Sequence, residues 1–261
     1  METLQGLTRK MKSAGDLHGV VKTMKVLAAV NIHQYEEAVA SLEDYSHAVE
    51  LGLRAALLNK SFLSRAKPPR ETVLVLFGSD QGMVGRFNEA IVDRMEQAVA
   101  ELSAVRCRYW VVGSRAAASV EDRRGPVDQN FTPPTSVGQI SAAVQELLLR
   151  FERYQQRQET RLTLCYNAPL NGTGYTHNLV HLRLPDPAWL EEIGARSWPG
   201  RCLPLYTLPR EQLFKTLIGE YLFVELFRAF ASSLAAENAA RLAAMQRAEK
   251  NIEEMRADLT G

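Results

Sequence analysis

The residues most able to do chemistry are Gly78-Ser79-Asp80-Gln81-Gly82-Met83-Val84-Gly85. They follow a short apolar run and precede a helical pattern. A glycine-rich turn so placed can cradle a phosphate on backbone N–H groups. The spacing is not G-x-G-x-x-G, however, and no Lys-Ser/Thr follows as in a P-loop. The stretch therefore reads as a tight strand-to-helix turn that binds no nucleotide, with Ser79, Asp80, Gly82, Gly85 and Asn88 shaping it. Gly113-Ser114 is a weaker signal of the same kind. His177 and His181 stand four apart, but a strand places such a pair on one face by parity alone, and no glutamate adjoins the first. No Ser, Cys or His stands in a nucleophile context. No catalytic residue, metal or cofactor is expected, and the chain reads as a mechanical scaffold rather than an active site.

The elements explain that scaffold. Residues 210–259 contain no proline, and Gly219 is their only glycine. Apolar or small residues recur at Leu213, Leu217, Tyr221, Val224, Phe227, Ala231, Leu234, Leu242, Met245, Ala248, Ile252, Met255 and Leu259. Steps of three and four alternate, which marks a helix with one apolar seam. Asn238 is the one polar residue on it, and such a residue fixes register. The helix would run roughly 75 Å, so it needs a partner along its length. The first sixty residues hold no proline either and carry a matching seam at Leu4, Leu7, Met11, Val21, Met24, Ala28, Tyr35, Ala38, Leu42, Tyr45, Val49, Leu53 and Leu57. Two rods at opposite chain ends pair most simply as an antiparallel coiled coil; packing along a large helical bundle is the alternative.

Lys67-Pro68-Pro69-Arg70 stops the first rod. Buried strands are expected at 72–77, 106–112 and 161–166, with weaker ones at 127–131 and 179–184. Helices are expected at about 87–103, from 114 to about 121, and at about 136–156. Strands alternating with helices give an open, mostly parallel sheet covered on both faces. Residues 186–209, rich in proline and tryptophan, read as an irregular return. The expected fold class is α/β: a long antiparallel coiled coil with an inserted Rossmann-like three-layer domain. The divisions are 1–66, 70–200 and 205–261.

The chain has 261 residues, 46% hydrophobic and 23% charged, with a net charge of +1. That balance excludes nucleic acid as a bulk partner, and no apolar run is long enough to span a membrane. There is no signal-peptide core. Cys107, Cys165 and Cys202 are odd in number and widely spaced, which suits a reducing compartment rather than a disulfide framework. Arg9, Lys10, Lys12, Lys22 and Lys25 stand against Glu2 and Asp16 in the first 25 residues. This surplus is either a solvated helix face or a contact with an acidic partner.

Three stretches together resemble the gamma subunit of the F-type rotary ATP synthase. Residues 22–29, Lys-Thr-Met-Lys-Val-Leu-Ala-Ala, are similar to the family's K-A-M-x-M-V-A-A. Residues 79–88 are similar to its S-D-R-G-L-C-G-x-x-N. Residues 236–248 are similar to its S-E-x-x-A-R-M-x-A-M-x-x-A. The departures are Gln81 for a basic residue, Val84 for cysteine, Ala236 for serine, Leu242 for methionine and Gly19 for lysine. They point to a divergent branch, compatible with an alternative sodium-type synthase. The last helix also stops at Gly261, where family members usually continue, so a shortened C-terminus is expected.

The resemblance implies a non-catalytic central-stalk rotor, peripheral on the cytoplasmic face of the bacterial inner membrane. Its coiled coil would stand inside a ring of alpha and beta subunits. Its α/β domain, with the epsilon subunit, would rest on the membrane c-ring and couple ion-driven rotation to ATP synthesis or hydrolysis. Lys22, Met24, Lys25, Glu237, Arg241 and Met245 are then candidate rotor–stator or inter-helix contacts. The alternatives are a nucleotide-binding α/β enzyme with a helical dimerisation stalk, and a coiled-coil adaptor.

Overall fold

The computed structural model describes residues 4–57, 71–101, 106–155, 160–170, 174–182, 187–196, 198, 200, 202 and 204–260. The Lys67–Arg70 stop, the Asn171-Gly172-Thr173 loop and the side chains of Leu4, Leu7 and Leu259 lie outside the described residues.

The N-terminal stretch forms two helices rather than one, α1 (Leu4–Ala40) and α2 (Leu42–Leu57). Between them, Ser41 turns its hydroxyl back to the Ala38 carbonyl at 2.9 Å. A serine that bonds its own backbone offers the chain an alternative to the helical ladder. On this arm the buried residues Ala14, Val21, Ala28, Tyr35, Leu42 and Val49 recur every seven positions, the repeat of a coiled-coil seam. A two-helix contact covers only a narrow stripe, so the predicted seam residues Met11 and Met255 are left exposed. Tyr45 is exposed as well, and its hydroxyl donates to Glu220 at 2.6 Å.

The middle of the chain forms a five-stranded sheet of order β3-β2-β1-β4-β5. Its strands are β1 (Glu71–Phe77), β2 (Arg106–Val112), β3 (Gln129–Phe131), β4 (Thr160–Pro169) and β5 (Tyr175–Leu182). All pairings are parallel except β4 with β5. β5 starts earlier than its hydrophobicity predicts, because antiparallel pairing continues to Pro169 opposite Tyr175. Helices α3 (Phe87–Glu101) and α4 (Ser114–Arg124) cover one face, where Leu74, Leu76, Ile91, Met95, Val111 and Val120 pack together. β4 also lends Cys165 to this face, and burial pushes its thiol up to about 12, so it is inert.

The other face is covered by α5 (Val137–Gln155) and by α7 (Arg210–Thr260), the C-terminal arm itself. Phe77 of β1 meets Phe230 of α7 edge-on at 4.9 Å. The C-terminal arm is thus one layer of the sheet domain and not merely a stalk outside it. Every residue from 229 to 240 is buried, because the sheet covers one side of the helix and α1 the other. A short helix, α6 (Pro187–Ala195), replaces part of the expected irregular return. Pro187 stands at its first position, where the missing N–H has no intrahelical partner to lose.

Candidate functional site

The two arms pair antiparallel. Lys25 Nζ donates to Glu249 Oε2 at 2.6 Å, Asn31 Nδ2 to Asn238 Oδ1 at 3.4 Å, and Tyr45 reaches Glu220 further down. Asn238 also donates to the Leu234 carbonyl at 2.8 Å, so the single polar seam residue is satisfied both within and across the arms. Met24 and Met245 pack in one cluster with Ala14, Val21 and Ile252. The motifs around residues 22–29 and 236–248 therefore overlap along the rod. Lys22 is exposed, whereas Lys25 directs its charge at the partner arm.

Glu237 and Arg241 do not form a surface pair. Their side chains are 10% and 13% exposed, with Arg241 Nη2 2.6 Å from Glu237 Oε1. Burial pushes the Glu237 carboxyl above its usual range; Arg241 opposes this, and the Asp80 charge adds to it. Tyr35 of α1 feels both charges. The pair thus lies where α1, α7 and the glycine turn converge. Helical spacing legibly placed the two side chains together, but nothing local signalled that they would be enclosed.

The glycine turn is locked by side chains. The Ser79 backbone N–H donates to Asn88 Oδ1 at 3.0 Å, and Asn88 Nδ2 donates to Ser79 Oγ at 2.9 Å. Asp80 Oδ1 accepts the Ser114 N–H at 2.6 Å. This carboxylate occupies the start of α4, where a phosphate would otherwise sit. A Cβ on Gly78 would collide with the Ala116 Cβ. Gly85 adopts φ 60° and Gly113 φ 101°. Gly82, by contrast, has no positive φ, and a Cβ there would meet only Arg115 Nη2, at 3.8 Å. Gly113 is thus the more constrained glycine, although in the sequence it stands only as one glycine before a serine. Asp80→Ala should cost about 1 kcal/mol by uncapping α4, measured as a fall in the chain's thermal midpoint. An unchanged midpoint would show that water replaces the cap.

Open α/β sheets bind ligands beyond the carboxyl ends of their strands, where the strand order reverses. Here that region, between β1 and β4, is filled by protein. Val84, Phe87, Ala236 and Ala240 form a buried cluster with Tyr175 packed against it. The histidines are used as well. His177 Nδ1 lies 2.6 Å from Asn167 Oδ1, and His181 Nδ1 lies 3.0 Å from Thr163 Oγ1, each directly across β4. Burial lowers the His177 pKa, and the Arg94 charge adds to this against the opposing Asp93 charge. By residue type, His18, Glu249 and Glu253 could hold a cation, with ligand atoms within 4.8 Å of one another. The Lys25 ammonium already occupies Glu249.

A family model described as ATP synthase matches residues 3–261. The ATP synthase gamma chain of Anaeromyxobacter sp. (strain Fw109-5) is 24% identical over 275 residues, covering 100% of this chain and 91% of that one. The gamma chain of Clavibacter michiganensis subsp. michiganensis is 25% identical over 267 residues, covering 97% and 87%.

This chain belongs to the ATP synthase gamma family.

Solved structures share this architecture. The central stalk and c-ring structure of the Tetrahymena thermophila mitochondrial ATP synthase holds a chain that aligns with a TM-score of 0.64 at 19% identity, over 88% of this chain and 99% of that one. A rotor chain of the Euglena gracilis mitochondrial enzyme gives 0.65 at 16%, over 98% and 94%. At such identities the likeness speaks for the fold: a long two-helix rod docked on a mostly parallel sheet. Among the described residues, no helix is long and apolar enough to cross a membrane.

Proposed function

We infer that this gamma chain is the central-stalk rotor of an F-type ATP synthase and carries no catalytic group of its own. The observation that carries the reading is a stiff two-helix rod whose outer helix keeps an apolar face uncovered. On α1, Leu17, Val20, Leu27 and Val30 are 50–57% exposed, although Ala14, Val21 and Ala28 on the same helix are buried against α7. An exposed apolar patch of this kind marks an interaction surface.

The partner of this face is the surrounding ring of alpha and beta subunits. Apolar contacts resist rotation less specifically than ion pairs, so such a face can slide past successive subunits. Exposed Lys22, Arg9 and Lys12 add charge that the ring can read at particular angles. The α/β domain rests with the epsilon subunit on the c-ring, which places the chain peripherally at the cytoplasmic face of the inner membrane. Rotation then biases each catalytic site because one rotor orientation binds the ring's conformations unequally.

Leu27→Glu tests the reading. Its side chain touches little in the free chain, so stability should move by no more than about 0.5 kcal/mol. The complex isolated with alpha and beta subunits should still hydrolyse ATP, yet pump fewer ions per ATP into vesicles. Unaltered pumping would remove this face from the coupling path, and failure of the wild-type chain to co-purify with alpha and beta subunits would overturn the rotor reading.

A further inference from the structure

A pocket lies at the other end of the rod, between α2, α6 and α7. It holds about 200 Å³, and its lining among the described residues includes Glu50, Trp189, Arg196, Tyr221 and Glu225. Small-molecule sites usually occupy about 300–1,000 Å³, so this volume suits one long side chain rather than a nucleotide or cofactor.

The lining chemistry is selective. Trp189 and Tyr221 pack together with ring centroids 4.8 Å apart. Two carboxylates face the space, and its one guanidinium, Arg196, is engaged by Glu50 at 2.6 Å and Glu192 at 3.2 Å. Arg54 also holds Glu50, from outside the lining. Glu225 differs. Its side chain is 15% exposed, and its Oε1 takes Arg228 at 3.0 Å, while Oε2 takes no partner among the described residues. A half-used, largely enclosed carboxylate beside two aromatic rings favours a planar cation, which can stack on the rings and donate to the carboxylate together. Burial pushes the Glu225 carboxyl up against the opposing Arg228 charge, so a further cation would relieve that strain.

We propose that this pocket receives the guanidinium end of an arginine side chain from a partner polypeptide. A macromolecular occupant also accounts for the neighbouring surface. The segment leading into α7 leaves Leu205, Tyr206 and Leu208 exposed, and it is tied to this end of the molecule where Arg210 Nε donates to the Ala56 carbonyl. Arginine is enriched among the hot spots of protein interfaces, which sit in well-packed, desolvated pockets.

The test uses the full chain and two acetylated, amidated peptides, Gly-Arg-Gly and the same sequence with citrulline, the neutral isostere of arginine. Tryptophan fluorescence is titrated with each. The arginine peptide should saturate with a Kd of about 1 mM, as expected for one anchoring side chain. The citrulline peptide should bind about tenfold more weakly, and Glu225→Gln should bring the two together. Equal affinities for the two peptides in the wild-type chain, or a response that never saturates, would overturn the proposal whatever the variant does. Neither peptide arm depends on the ring of alpha and beta subunits, so failure here leaves the rotor reading untouched.

Discussion

Arg241→Ala should destabilise the chain by about 3–5 kcal/mol at pH 7, the cost of leaving a buried charge without its partner. The cost is this large because both side chains of the Glu237–Arg241 pair are nearly enclosed; an exposed helical pair would be worth only about 0.2–0.5 kcal/mol. The effect should also depend on pH in a defined direction. Glu237 already has a carboxyl raised by burial, and Arg241 is the group that opposes the rise. Removing the guanidinium lifts it further. A carboxyl raised in the folded state contributes stability that is fully present below its unfolded value of 4.5 and is lost as pH rises through the folded value. The variant's deficit should therefore be large at pH 7 and smaller at pH 4.5, the unfolded value, where a carboxyl raised above it in the folded chain is mostly protonated. Adding Glu237→Gln to Arg241→Ala should recover much of the loss at pH 7. Thermal melts at the two pH values check this, and a pH-independent deficit would assign the cost to lost packing instead. Any loss of coupling in an Arg241→Ala complex must be read against this weakened rod.

Gly113→Ala should cost about 2–5 kcal/mol, whereas Gly82→Ala in the neighbouring turn should stay within about 0.5 kcal/mol. At Gly113 the backbone adopts φ 101° and ψ 125°, which L-residues with a side chain rarely enter. The added methyl would also lie 2.8–2.9 Å from backbone atoms of Gly78 and Ser79. Backbone cannot swing aside as a flexible side chain can. At Gly82 the methyl meets only the far end of Arg115. Chemical denaturation of the two variants gives the comparison directly. Similar losses for both would mean that the turn is uniformly tight and that Gly113 holds no special place in it.

Stability differences of this kind are hidden from a sequence because glycine looks the same wherever it stands. The turn at 78–85 was conspicuous for its density of glycines, yet the close approach that fixes it comes from β2, and the conformational demand falls partly on Gly113. Likewise Asp80 was legible as a polar turn residue. Its role as the cap of α4 required two loops from different strands to meet.

The sequence by itself determined that both ends of the chain are long and helical, with antiparallel pairing as their simplest arrangement, and that strands and helices alternate between them. These rest on periodicity and chain length, which are local properties. It also brought Glu237 next to Arg241 and marked Asn238 as a register residue, since helical spacing fixes neighbours four apart. Tertiary structure alone decided that α7 is buried on all sides through its middle, because a helix of alanines and large apolar residues shows which faces are covered only once both covers exist. It decided that an apolar face of α1 carrying Leu17 and Leu27 stays exposed beside the seam, since exposure depends on which elements pack against the helix. It also turned the Glu237–Arg241 pair from a minor surface contact into an enclosed one, because the energy of an ion pair is set by the water around it, and that water is removed by elements distant in the chain.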